Sequence, residues 1–304
     1  MIIALVGRKT GSKDSVHKNI KEILTSFARK IFERGHVVMF DEDTLINFIM
    51  NTSFIDDYTT EVKVGSFKCV SKTADIAIVL GGDGTMLNAA KALSGNDIPI
   101  LGINLGRVGF ITDVPVNFDH NKIITMLEKV EYTTEKRHMI KISEGDIIDK
   151  IALNDIVITR STGKILEFND LIDGEYAYTV RGDGLMISTP TGSTAYAMSA
   201  NGPIIHPTAR VIEVLPILPQ SLSCRPLIIN DTSNVKFELI SGESDVYVDG
   251  QLHKKLKPTE DLEVMRSERK VEFIHPRMKD FTYNYWSMLS EKLNWHLLPG
   301  TPRV

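Results

Sequence analysis

Two rhythms of apolar and polar positions divide this chain. The first is the rhythm of a parallel α/β sheet. Ile2-Ile3-Ala4-Leu5-Val6 is an unbroken apolar run of strand length that ends at Gly7-Arg8-Lys9. Over residues 16–32 the apolar side chains Ile20, Ile23, Leu24, Phe27 and Ile31 recur three and four apart, which puts them on one helix face. Gly35 follows, where a helix C-terminus favours glycine. His36-Val37-Val38-Met39-Phe40 then reads as a second strand, and strand–helix–strand in this order begins a parallel sheet. Residues 41–70 carry no clear period, and residues 51–57 read as loop. A clear strand returns at Asp75-Ile76-Ala77-Ile78-Val79-Leu80 and runs directly into Gly81-Gly82-Asp83-Gly84-Thr85. A helix is expected over residues 86–93. The strand Pro99-Ile100-Leu101-Gly102-Ile103 then leads into Asn104-Leu105-Gly106-Arg107-Val108-Gly109-Phe110.

After about residue 135 the period changes to that of strands with few helices between them. Strands are expected over 138–143, 150–159, 167–172, 175–180, 227–230, 235–239, 245–248 and 271–275. Asp173-Gly174 between two of them is a strong hairpin signal. Residues 281–297 regain helical spacing through Tyr285, Met288, Leu289 and Leu293. The expected fold is therefore α/β. A parallel α/β sheet domain (1–135 plus 275–304) precedes a β-rich, sandwich-like domain (136–274), and the C-terminal helix packs back on the first. No internal repeat or low-complexity stretch interrupts this order.

Composition narrows the function classes. The 304 residues are 42% hydrophobic and 24% charged, ordinary values for a globular protein. The net charge is −4 and the basic residues are scattered, so no nucleic-acid face is expected. The cluster Lys254, Lys255, Lys257 reads as a solvated turn. Cys69 and Cys224, the two cysteines, read as free thiols of a reducing compartment. The apolar start lacks a basic leader, and no stretch is long and apolar enough to span a bilayer. A cytoplasmic protein is expected.

The chemistry concentrates at the turn after the apolar strand. Open α/β sheets bind ligands at the carboxyl ends of their strands. Gly81, Gly82 and Gly84 remove side chains that would block a phosphate, so backbone N–H groups and the start of the next helix can face its oxygens. Asp83 would repel a phosphate if the turn did nothing but bind one. It makes sense as the group that orients an acceptor hydroxyl and takes its proton late in a loose phosphoryl-transfer transition state. The bland alternative is a helix-capping Asp in a tight turn, which a lone Gly-Asp-Gly would favour. Neither the Rossmann nor the Walker glycine pattern is present. Asn154-Asp155 places two polar residues in an apolar strand, where they need partners or a cleft. Residues 188–194 offer many hydroxyls broken by Pro190 and Gly192, a composition suited to a turn that displays hydrogen-bonding groups. His206 and His275 lack ligand partners at metal spacing and read as structural.

Gly81-Gly82-Asp83-Gly84-Thr85 occurs in a small superfamily of NAD kinases, lipid kinases and phosphofructokinases. Leu153-Asn154-Asp155-Ile156, the segment from Asp183 to Tyr196 with its continuation to Pro203, Pro219 to Pro226, and Asp249-Gly250-Gln251 together resemble the NAD kinases in order along the chain. The resemblance implies NAD held between an α/β and a β-rich domain. It implies Asp83 as catalytic base near the adenosine 2′-hydroxyl, and Gly81, Gly82, Gly84 and Thr85 around the donor phosphates of ATP or polyphosphate. It implies Asn154 and Asp155 at the ribose, Phe110 at the adenine pocket, and Thr191, Thr194 and Tyr196 at the adenine. Asp183 would face the nicotinamide side, with Arg181 before it as in a branch that prefers oxidised NAD. Position 155 carries Asp where many relatives carry Glu, so its carboxylate reaches less far. A hydrated Mg²⁺ would ride on the donor phosphates, with no protein cage. Relatives of this type form homodimers or homotetramers. A lipid or sugar kinase would share the glycine turn but would not need Asn154-Asp155 or residues 188–196. A silent NAD(P)-binding sensor would be expected to lack the base.

Overall fold

The computed structural model describes residues 1–7, 15–49, 62–105, 109–143 and 150–295. The readings at Arg8-Lys9, at 51–57, at 106–108 and at 296–297 lie outside these residues. The chain divides into two compact units, Met1–Glu135 with Glu272–Val304, and Lys136–Val271.

The first unit is built on parallel strands. In chain order it contains β1 (Ile2–Gly7), α1 (Ser15–Glu33), β2 (Val37–Asp41), α2 (Glu42–Thr44), a π-helical turn (Leu45–Ile49), β3 (Lys63–Gly65), α3 (Phe67–Thr73), β4 (Ile76–Gly81), α4 (Asp83–Leu93), β5 (Pro99–Asn104), β6 (Val114–Pro115) and α5 (His120–Lys129). The parallel order is β5-β4-β1-β2-β3, and Glu272 and Phe273 pair beside the start of β5. Strand β4 is buried at every position, as its unbroken apolar run requires of a parallel strand covered on both faces. Helix α1 buries Ile20, Leu24, Phe27 and Ile31 against Ile3, Leu5, Val38 and Phe40. Each such side chain contributes about 1.5–3 kcal/mol when fully buried. Gly35 takes φ +75°, the left-handed conformation that ends this helix at little steric cost. The C-terminal helix belongs to this unit and buries Met288 and Leu289. It spans Tyr285–Lys292 and is labelled below by that range.

The second unit is antiparallel. Strand β7 (Tyr132–Ile142) enters it, followed by β8 (Ile151–Ala152), β9 (Asp155–Arg160), β10 (Leu166–Ile172), β11 (Glu175–Gly182), β12 (Gly184–Ser188), a 3₁₀ turn (Gly192–Thr194), α6 (Tyr196–Ser199), β13 (Val211–Ile217), β14 (Leu227–Asn230), β15 (Val235–Ser241), β16 (Ser244–Val248), β17 (Gln251–Leu256) and β18 (Asp261–Pro276). One sheet runs β14-β13-β12-β9-β16-β17, and opposite it β11-β10-β15 continues into the first half of β18. Ile156, Ile158, Leu185, Ile187, Ile212 and Val214 of the six-stranded sheet meet Phe168, Val180, Val235 and Phe237 of the other in one core. This is a β-sandwich. The alternate residues of the six-stranded sheet, Val157, Met186, Leu215 and Ile217, pack on the outer face with Ala197 of α6. Asp173 and Gly174 sit at φ +53° and +82°, the paired positive values of a two-residue hairpin turn.

Several elements differ from the sequence reading. Residues 150–159 form two strands, because the chain breaks at Leu153-Asn154. Residues 271–275 are the end of a 16-residue strand. Helix α4 starts three residues before Met86, with Gly82 at its N-cap position. Helix α5 and strands β12, β13 and β17 had no counterpart in the sequence reading. Residues 188–194 do not display their hydroxyls: Ser188, Thr189 and Ser193 are fully buried and bond the backbone.

Candidate active site

In the first unit, β4 delivers Gly81 beside Asn104 at the end of β5, and the chain turns at once into α4. A Cβ on Gly81 would stand 2.3 Å from Thr85 Oγ1, so glycine lets the helix start lie against the strand end. Gly82 and Gly84 have open space where side chains would be. They line a cleft of about 450 Å³ with Thr85, Asn88, Ala89, Val6, Gly7, Asp41 and Phe67. The amides of Asp83 and Gly84 stand at the first two helical positions, where a helix supplies no acceptor of its own. The helix dipole adds about half a positive charge there. Asp41 is the awkward member of this wall. Its carboxylate is turned into the protein, 3% exposed, and accepts from Thr44.

Asp83 is held from the other side. Its Oδ2 accepts from the Phe110 amide at 2.9 Å, and its Oδ1 from the Thr112 hydroxyl at 3.2 Å and the Ile111 amide at 3.4 Å. Asn104 donates to Thr112 Oγ1 at 2.7 Å and so fixes that hydroxyl. A Cβ on Gly109 would lie 1.7 Å from Asp83 Oδ1. The carboxylate therefore fills space that only glycine leaves open. Asp83 is half-buried, and the loop that grips it is itself anchored where Asp113 Oδ2 meets His275 Nδ1 at 2.5 Å. His275 stacks on Tyr283 at 4.0 Å between ring centroids.

In the second unit, Asn154, Asp155, Val157, Thr159, Ala195, Tyr196, Tyr247, Asp249 and Gly250 line a cleft of about 430 Å³ on the outer face of the six-stranded sheet. Asp249 and Gly250 form the β16–β17 hairpin turn, at φ +47° and +76°. From that turn the Asp249 carboxylate accepts the amides of Asn154 at 2.8 Å, Leu153 at 3.0 Å and Asp155 at 3.3 Å. This clamp is the physical reason for the break between β8 and β9. On the other side, Thr189 binds the carbonyls of Leu153 and Asn154. Asp155 is 5% exposed. Burial, with the neighbouring Asp249 charge, pushes its carboxyl up to about 7.

The residues singled out from the sequence thus fall into two groups. Gly82, Gly84 and Thr85 line the first cleft, while Gly81 and Asp83 are not part of its lining; Asn154, Asp155 and Tyr196 line the second. Tyr196 is half exposed, unlike a core tyrosine. Thr191 and Thr194 do not line the second cleft. Thr191 accepts from Arg137 at 3.2 Å, and Thr194 donates to the Thr191 carbonyl. Asp183 pairs with Arg160 at 3.0 Å, and its carbonyl accepts from Thr159, one step from the cleft wall. Arg181 is exposed and stands 3.9 Å from Glu167. The sequence reading did not single out Gly109, Thr112, Asn104, Thr159 or Tyr247. Asp249 entered the sequence reading only within the family match Asp249-Gly250-Gln251, with no role given to its carboxylate. Among the described residues no three His, Cys, Asp or Glu side chains form a metal cluster.

A glycine turn with an anchored carboxylate at the end of a parallel sheet, joined to a β-sandwich with a polar cleft, defines a two-unit kinase of the Gly-Gly-Asp-Gly-Thr class. The ATP-NAD kinase N-terminal domain family matches residues 4–134, and the ATP-NAD kinase C-terminal domain family matches residues 153–276. The chain belongs to the NAD kinase family. An NAD kinase of Azoarcus sp. (strain BH72) is 36% identical over 306 residues, covering 98% of this chain and 97% of the relative. One from Laribacter hongkongensis (strain HLHK9) is 43% identical over 230 residues, covering 74% of this chain and 77% of the relative. Among solved structures, yeast NADH kinase complexed with NADH superposes at a TM-score of 0.83 with 22% identity, covering all of this chain and 89% of that one. An Archaeoglobus fulgidus NAD kinase in complex with ATP superposes at 0.68 with 24% identity, covering 97% of this chain and 99% of that one. These two likenesses concern the fold.

Proposed function

We propose that this chain transfers the terminal phosphate of ATP, or of another phosphate donor, to the 2′-hydroxyl of the adenosine ribose of NAD, forming NADP. The observation that carries the reading is Asp83, a carboxylate fixed by two amides and a hydroxyl between two glycines, Gly82 and Gly84, that line an open cleft. Gly81, Gly82, Gly84 and Thr85 take the donor phosphates on backbone amides. Asp83 orients the acceptor hydroxyl and receives its proton late, as a loose transition state allows. In the second unit, Asn154 and Asp155 hold the ribose, with Asp249 fixing their backbone, and Tyr196 offers its ring to the adenine. Phe110 is read as a further adenine contact, Thr191 and Thr194 shape the turn that carries Tyr196, and Asp183 with Arg181 serves the nicotinamide side.

The open cradle suits a donor that brings Mg²⁺ on its own phosphates, and the cation would neutralise charge on the transferring group. The enzyme is read as a cytoplasmic homo-oligomer. Free Cys69 and Cys224 fit a reducing compartment, and the exposed Leu218 and Leu222 offer apolar surface for association. No helix among the described residues is long and apolar enough to cross a membrane.

The test is direct. Purified protein with NAD, Mg²⁺ and either ATP or polyphosphate should yield product that a NADP-specific dehydrogenase reduces. No such product from any donor would leave NAD binding without transfer.

A further inference from the structure

The C-terminal helix Tyr285–Lys292 carries a cation to the loop that holds Asp83. Lys292 Nζ lies 4.9 Å from the centroid of the Phe110 ring, and Phe110 is the residue whose amide donates to Asp83 Oδ2. The charged groups facing Lys292 are Asp83 from α4 and Glu291 from its own helix, and both attract its ammonium. Lys292 is half-buried, and that burial outweighs the two carboxylates and holds its pKa below the ordinary lysine value. Among the described residues Lys292 makes no hydrogen bond. An ammonium has three N–H donors, and an aromatic face offers it attraction but no lone pair. A half-buried cation with open donors, set beside a catalytic carboxylate and its cradle, is completed by an anion.

We propose that Lys292 is a charge-stabilising residue of the phosphoryl transfer, its ammonium held over Phe110 to contact an oxygen of the transferring phosphoryl group at Asp83. The inference rests on the kinase reading above. In the step it assists, the bond between the donor's terminal phosphorus and its bridging oxygen breaks and the nucleoside diphosphate leaves. The ribose oxygen bonds to that phosphorus, and the hydroxyl proton passes to the Asp83 carboxylate. Negative charge on the phosphoryl oxygens stays beside Lys292 throughout.

The test compares wild type, Lys292→Met and Lys292→Arg in steady-state NADP formation across neutral to alkaline pH, with thermal melts of all three. Loss of one preorganised donor of this kind costs about 10²–10³-fold in kcat, and that loss is expected for Lys292→Met, with KM for NAD little changed. Wild-type kcat should fall with rising pH as Lys292 loses its proton, earlier than an ordinary lysine would. Lys292→Arg should keep most of kcat and lack this alkaline fall, because a guanidinium stays charged. Wild-type kcat in Lys292→Met overturns the proposal. So does an alkaline fall that persists in Lys292→Arg, or a Lys292→Met defect fully explained by a lowered melting temperature. A wild type that makes no NADP from any donor sinks the kinase reading itself, a result distinct from a variant that matches an active wild type.

Discussion

Asp83 and Gly109 occupy one shared volume. The carboxylate takes the place where any other residue at 109 would put its Cβ, which would stand 2.3 Å from Thr112 Oγ1 as well. Gly109→Ala must therefore push Asp83 out of its amide contacts. A displacement of about 1 Å at a reacting group can cost roughly 10²-fold in rate, and that loss in kcat is expected with an unchanged circular dichroism spectrum. Wild-type turnover in the alanine variant would contradict the placement of Asp83. Asp83 was legible in the sequence because a carboxylate amid glycines after an apolar strand conflicts with simple phosphate binding. Gly109 was not, since the atom that demands it lies 26 residues away in the chain and across a turn. Asp249 was visible as a family match, but its clamp joins residues 94 to 96 positions apart, which no local pattern encodes.

At the scale of elements, the alternation of β13 carries an unusual choice. Ile212 and Val214 face the sandwich core, whereas Leu215 and Ile217 face outward under α6. Glu213 shares that second face. It is fully buried, neither carboxylate oxygen has a hydrogen-bond partner among the described residues, and Oε1 sits 2.2 Å from where a Cβ on Gly202 would be. Burial pushes its carboxyl up to about 7, from 4.5. The folded state then binds more protons than the unfolded one, so stability falls as pH rises from about 4.5 to about 7 and stays low above. Each pKa unit is worth about 1.4 kcal/mol, so Glu213→Gln should gain on the order of 3 kcal/mol at pH 8. The gain should vanish below about pH 4.5, read as a melting-temperature difference between the two proteins. An equal difference at both pH values would contradict the buried, unpaired carboxyl.

This element also shows where sequence reading stops. Strand β13 carries a charge at a buried position and Pro216 near its end, so its alternation did not read as a strand. Strand β12 hid behind the breakers Gly184 and Pro190. Strand β4 and helix α1 were legible because apolar runs and three–four spacing are local signals that burial on both faces, or on one, makes unambiguous.

For the whole molecule, the change of period along the chain reads as two kinds of architecture, and the structure has both, parallel and antiparallel. Donor identity was not legible, because a glycine cradle binds phosphate through backbone amides that are the same for every donor. The central claim is that Asp83 takes the proton of an acceptor hydroxyl on NAD. It is tested most directly by kcat for NADP formation in Asp83→Asn beside wild type, with NAD and ATP binding to both followed by calorimetry. Positioned proton acceptors typically contribute about 10²–10⁴-fold, and a loss in that range with both ligands still bound is the predicted result. An Asp83→Asn enzyme that turns over like wild type would contradict the account at its centre.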